Sequence, residues 1–336
     1  MSRSGGRGLE AAAALLAVAA LLASCQGGPG GGAASGKKTV IAVVPMGTTH
    51  EFWKAIHAGA LTAARKLRAE LIWKGPLKET DRNEQVQIVE TLSLSGIDAL
   101  VLSPIDDRAL VRPVEEAARL GIPTVVFNTA LAGGDPAASI VTDNYSGGVI
   151  AAEYLGRLLG GQGRLILVRV TEGVEGTRLR EEGFLGTLRE KFPGVTVLSD
   201  NQYGGASTET AYQTMENLLA RFAAVDALFT PNESTTFGCL RALEDHGLAG
   251  KVVHVGFDSS AKLIEALARK EIRGLVLQDP FEMGYRSVET ALARLRGEPY
   301  EKTVATGVVL ATPDNMNEPA VRRLLAPDLS ILKDAR

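Results

Sequence analysis

The chain has 336 residues, 45% of them hydrophobic, which suffices for a large buried core and suits two domains better than one. A formal net charge of −3, with no basic stretch longer than Lys37-Lys38, excludes the electrostatic footprint of a nucleic-acid binder. Two cysteines and four scattered histidines carry no zinc spacing: His50-Glu51 opens like a His-Glu-x-x-His motif, but Lys54 stands at the second ligand position.

At the N-terminus Arg3 and Arg7 precede an uncharged apolar run over residues 11–23 that closes on Leu22-Ala23-Ser24-Cys25. The run is too short to span a bilayer comfortably. Its charged, apolar, then small layout is that of an export signal over residues 1–25. The Leu-Ala-Ser-Cys ending resembles the bacterial lipobox, after which Cys25 becomes the lipidated N-terminus. A Gly-rich linker follows over residues 26–37, and a helix ahead of it would have nothing to pack against. With Cys25 lipidated, Cys239 has no disulfide partner and reads as a small buried hydrophobe.

From residue 40 onward, short apolar runs alternate with amphipathic stretches, the mark of βαβ units in a parallel sheet. Strands are predicted at 40–44, 70–73, 99–102, 124–127, 139–141, 165–168, 195–198, 227–229, 252–255 and 274–277. A helix over 52–68 spaces Phe52, Ile56, Ala60, Ala63 and Leu67 along one stripe, so its first turn is where function belongs. Asp81-Arg82-Asn83-Glu84 reads as a helix start. Asp279-Pro280-Phe281-Glu282 does so more fully, with cap, proline and first-turn acid, and that helix should stop at Gly297. Ten strands exceed one tidy sheet, so the fold class is α/β with two doubly wound, Rossmann-like domains. The changeover falls near Asp143-Asn144. No long linker separates the halves, so short crossings would act as a hinge.

Several apolar runs end in one polar side chain: Asn128, Asn232, Asp258 and Gln278. In an open parallel sheet, ligands sit beyond the carboxyl ends of the strands, so these side chains converge on one crevice. Amides and carboxylates suit hydroxyls, Arg180 donates to two oxygens, and Phe52 and Trp53 offer plates for the C–H face of a sugar ring. Tyr203 is a further candidate plate. Each has a plainer reading: the aromatics as core, Asn128 and Asn232 as helix caps or turn formers, and Asp258 as cap of a helix starting at Ser259.

From about Lys38 to Pro313 the chain resembles the type I periplasmic sugar-binding proteins of ABC transporters, of the ribose/xylose/galactose type. The segments that carry the likeness run in order. They are Thr49-His50-Glu51-Phe52-Trp53-Lys54, Val101-Leu102-Ser103-Pro104 before Asp106, Gly121-Ile122-Pro123-Thr124-Val125 and Thr142-Asp143-Asn144 with Gly147-Gly148. Further on come Arg180-Glu181-Glu182-Gly183-Phe184, Pro231-Asn232-Glu233, Val255-Gly256-Phe257-Asp258 and Leu277-Gln278.

The resemblance implies two lobes joined by three crossings, one of residues 38–143 plus 279–307 and the other of 144–278 plus 308–336. The sugar contacts it implies are His50, Phe52, Trp53, Asn128, Arg180, Asn232, Asp258 and Gln278. It further implies a lipid-anchored monomer, in the periplasm or on the outer face of the cytoplasmic membrane, that delivers a mono- or small oligosaccharide to a permease, without cofactor, metal or covalent chemistry.

Where close ribose binders carry Asn, this chain has His50, and where they carry consecutive Asp and Arg it has Asn128-Thr129. The loss of that charged pair weakens the case for ribose itself, and His50, a residue that titrates near neutrality, allows a pH-dependent affinity. A sensor lipoprotein presenting its ligand to a membrane receptor is the alternative. A repressor effector domain wants a helix-turn-helix before residue 38, where an apolar run and a glycine tract stand instead. A nucleotide-dependent oxidoreductase wants the Gly-x-Gly-x-x-Gly turn that Val43-Val44-Pro45-Met46-Gly47 lacks.

Overall fold

The computed structural model describes residues 38–335; the expected export signal and lipobox, at residues 1–25, lie outside the described residues. Strands β1 (Val40–Val44), β2 (Glu70–Trp73), β3 (Ala99–Leu102), β4 (Thr124–Asn128) and β5 (Ala138–Thr142) make one parallel sheet. Strands β6 (Gln162–Arg169), β7 (Gly194–Tyr203), β8 (Ala227–Thr230), β9 (Val253–Phe257) and β10 (Gly274–Leu277) make a second. Two further strands complete them: β11 (Thr303–Thr306) runs parallel to β5, and β12 (Val309–Ala311) runs antiparallel to β10. The orders β11-β5-β4-β3-β1-β2 and β12-β10-β9-β8-β6-β7 are the same, strand for strand. Central strands such as β3 and β10 are buried at every residue, so they read as unbroken apolar runs.

The ten predicted strands are present. The strands β11 and β12 are additions to that reading: both are short, partly exposed edge strands, β11 has no apolar run to mark it, and the run that carries β12 is only four residues long, 308–311.

The helices are α1 (Glu51–Leu67), α2 (Arg82–Ser93), α3 (Val111–Arg119), α4 (Asn144–Leu158), α5 (Glu175–Lys191), α6 (Thr208–Arg221), α7 (Glu233–Asp245), α8 (Ala261–Ala268), α9 (Pro280–Arg296) and α10 (Pro319–Leu325). Helix α9 starts as its sequence dictates: Asp279 Oδ1 accepts from Glu282 N at 3.1 Å, Pro280 opens the first turn, and Gly297 ends it at φ 69°. The start at Asp81 is weaker than its sequence suggests. Asp81 holds the N-cap position of α2 without a side-chain bond to the turn.

The chain passes between the sheets after β5, after β10 and between β11 and β12. Each of the first two passages leads into a helix that packs tightly on the helix following the first strand of the lobe it enters, α4 on α5 and α9 on α1. Glycines permit that approach. A Cβ at Gly148 would lie 2.0 Å from the Arg180 carbonyl oxygen, one at Gly183 2.2 Å from that of Tyr145, and one at Gly284 2.1 Å from that of Ile56. Gly148→Ala is therefore expected to cost about 1–3 kcal/mol by overpacking. The thermal midpoint should fall by several degrees, and a wild-type midpoint would show that the pair has slack.

The tail departs from its expected place wholly within the second lobe. Helix α10 packs its Val321 and Leu325 into the core beside Leu275 and Leu277, but the closing 3-10 turn Ser330–Ala335 lies against α1 of the first lobe. Ser259 Oγ donates to the Leu325 carbonyl at 2.8 Å, and Arg323 pairs with Asp279 at 2.8 Å. The tail thus crosses back at the hinge.

Candidate functional site

The carboxyl ends of both sheets face one cavity. The first lobe lines it with Met46, His50, Phe52, Trp53, Glu79 and Asn128; from the second come Arg180, Asn232, Glu233, Asp258 and Gln278, with Val170, Thr171, Val174, Gly176, Thr177 and Ala206. His50, Phe52, Trp53, Asn128, Arg180, Asn232, Asp258 and Gln278 therefore meet around one hollow although they span the sequence. Tyr203 does not join them. The β6–β7 register shifts twice before Arg169 pairs with Tyr203, and the ring ends 42% exposed outside the cavity.

Asn128 closes β4 and Asp258 follows β9, equivalent strands of the two sheets. Both residues hold φ at +66°, a conformation costly for a side-chain-bearing residue and common where function constrains the backbone. Asn128 Nδ2 donates to Ser103 Oγ at 3.2 Å. Asp258 is buried and accepts from Gln278 Nε2 at 2.7 Å and from Glu233 N at 3.2 Å. Burial raises its carboxyl pKa, against the pull of Arg180, Gln278 and the Glu233 N–H. The helix after it starts at Ala261 and is capped by Ser260, so Asp258 does not cap it.

Arg180 is 3% exposed. Its Nε donates to Asn144 Oδ1 and its Nη1 to the Pro231 carbonyl, both at 2.8 Å, while the guanidinium lies 4.4 Å over the Phe257 ring and 4.0 Å from Asp258. Three kinds of contact thus aim one buried cation. Gln278 also accepts from Thr142 Oγ1 at 2.7 Å, which ties the ends of β10 and β5 together where the chain crosses. Asn232 does what its plainer reading says while lining the cavity: its Oδ1 accepts from Thr235 N at 3.0 Å and caps α7.

The aromatics divide. Trp53 is 2% exposed, edge-on to Phe52 at 5.0 Å and to Phe127 at 6.4 Å, and belongs to the core. Phe52 is only partly buried and is the available plate.

Two carboxylates absent from the sequence reading of the site are central to it. Glu79, in the loop between β2 and α2, accepts from Trp53 Nε1 at 2.6 Å and pairs with His50 Nδ1 at 2.9 Å. Burial pulls the His50 pKa down, but the Glu79 hydrogen bond and charge, with Glu233 and Asp258, outweigh it and raise it to about 9. His50 is accordingly charged through neutrality, which corrects the expected switch near pH 7. Glu233 stands across the cleft from α1 and accepts from Phe52 N at 3.3 Å. Burial and nearby Asp258 push its pKa up to about 7, against His50 and the N–H groups of Phe52 and Glu51. No cluster that could hold a metal ion occurs among the described residues.

Two matched lobes around a polar, aromatic-floored cleft define a hinged binding protein. Residues 41–299 match the periplasmic binding protein domain family, and the chain belongs to it. It is 29% identical over 264 residues to the ribose import binding protein of Salmonella typhimurium, covering 78% of this chain and 86% of that one. Among solved structures, a carbohydrate transporter solute-binding protein from Agrobacterium radiobacter, in complex with D-arabinose, superposes with a TM-score of 0.83. It is 32% identical, over 87% of this chain and all of the other. An ABC transporter solute-binding protein from Agrobacterium vitis with bound D-fucose gives 0.82 at 30% identity, over 85% of this chain and all of that one. This is a family of type I sugar-binding components of ABC importers that act outside the cytoplasm, and its members bind rather than catalyse.

Proposed function

We propose that this protein captures a neutral monosaccharide in the cleft, closes its lobes over it and delivers it to an ABC permease, held at the membrane surface by lipid on Cys25. The observation that carries the reading is the convergence of polar and aromatic side chains from both lobes on one hollow. Asp258 and Arg180 supply charge-assisted bonds to hydroxyls, Asn128 and Asn232 line opposite sides, and Phe52 offers an apolar face. A site built for hydroxyls rejects an analogue that lacks one, because its own polar groups are then left unpaired. The relatives named above hold different sugars, and this chain carries His50 and Asn128-Thr129 of its own, so D-ribose is one member of the panel rather than the presumed ligand.

Titration calorimetry against pentoses, hexoses and deoxyhexoses tests capture; a panel with no binder removes it. Uptake of the labelled binder in a strain lacking the gene tests delivery, since a sensor would leave the initial rate unchanged. For the anchor, Cys25→Ser is expected to release the protein from washed membranes, and retention of the variant would refute lipidation.

A further inference from the structure

Helix α1 begins at the cleft without a cap of its own. His50 holds the N-cap position, but its side chain makes no bond to the turn, because Glu79 holds the ring. The free N–H groups there are met from the other lobe, where Glu233 Oε2 accepts from Phe52 N at 3.3 Å, with Glu51 N–H also directed at the carboxylate. Glu233 is itself the first residue of α7. Two helix N-termini, each carrying partial positive charge, thus face one another across the cleft, with Asp258 on the first N–H of α7 and the Glu233 carboxylate on the first turn of α1. The pattern recurs. Glu175, the first residue of α5, reaches from the second lobe to accept from Ala130 N at 3.2 Å, two residues beyond Asn128.

We propose that Glu233 and Glu175 latch the cleft shut, each setting a second-lobe carboxylate on backbone N–H groups of the first lobe beside the ligand-facing residues. Glu233 is the stronger latch because it satisfies a helix terminus that has no other cap. The contacts form only when the lobes approach, so they act after a ligand has entered and slow its departure. The latch also forms in sugar-free protein whenever the lobes close. The kinetic part of the inference rests on the sugar-capture reading, whereas the contact itself does not.

The test uses full-length protein as wild type, Glu233→Ala, Glu233→Gln and the Glu175→Ala/Glu233→Ala double variant. Hydrogen exchange at the Glu51 and Phe52 amides in sugar-free buffer reads the contact directly, since protection tracks closure. Loss of a helix cap predicts exchange roughly 3- to 30-fold faster in Glu233→Ala. Stopped-flow release of D-arabinose, D-fucose and D-ribose should quicken by a similar factor with association little changed, most of all in the double variant. Glu233→Gln keeps an acceptor oxygen without the charge and should fall between. Equal exchange in wild type and Glu233→Ala overturns the latch, as does slower association with unchanged release. If none of the three sugars binds the wild type, capture of those sugars fails while the exchange result still decides the latch.

Discussion

Asp258→Ala is expected to weaken sugar binding by about 1.5–3 kcal/mol, roughly 10- to 150-fold. Asp258 is the only carboxylate of the cleft that touches Gln278, approaches Arg180 and receives the first N–H of α7, and it sits in a backbone conformation that alanine adopts with strain. Its loss removes a charge-assisted acceptor for hydroxyls and leaves the Arg180 cation buried without its nearest counter-charge, so stability should fall as well. Asp258→Asn separates the two effects, because it keeps the volume and an acceptor oxygen but not the charge. Calorimetry on each variant with the tightest sugar of the panel makes the measurement. An Asp258→Ala affinity equal to wild type would remove Asp258 from the site.

The strands were legible because a parallel sheet buried on both faces writes itself as short apolar runs, and the polar residue that ends each run marks the cleft. That logic found Asn128, Asn232, Asp258 and Gln278, which the structure sets around one cavity. It could not find Glu79, which lies in the loop Gly75-Pro76-Leu77-Lys78-Glu79-Thr80, where no periodicity says which way a side chain faces. Glu233 was visible in Pro231-Asn232-Glu233, yet an acid in the first turn of a helix already has a local explanation in the helix dipole. Its bond to Phe52 joins residues 181 positions apart. Trp53 answers to both of its readings: it lines the cavity, yet one position from Phe52 on the same turn it packs against Phe127 in the core, and only that packing shows that Phe52 is the more available plate. Tyr203 depended on strand register, which the double shift in β6–β7 displaced.

Between pH 6.5 and 9 the wild-type protein is expected to lose stability as pH rises, and His50→Gln to remove most of that loss. The imidazole faces Glu79, Glu233 and Asp258, with Arg180 as the nearby cation of the cleft, and its pKa in the folded protein is raised from 6.5 to about 9. A group with a raised folded pKa binds its proton more tightly in the native state, so its stabilisation is complete below the unfolded value and disappears as pH climbs through the folded one. At ~1.4 kcal/mol per pH unit, the window amounts to about 3 kcal/mol. Glu233, raised to about 7, acts in the same direction, mostly below the window. His57 and His254, whose pKa values burial lowers to about 4 and 3, act in the opposite sense but below pH 6.5. Glu79→Gln provides the second arm, because it keeps an acceptor oxygen for the ring but removes the charge, so the His50 pKa should fall and the loss of stability across the window should shrink. Denaturant midpoints at constant ionic strength across the window decide the matter: parallel pH profiles for wild type, His50→Gln and Glu79→Gln would show that His50 carries no charge worth holding, and that the cleft is balanced by Arg180 alone.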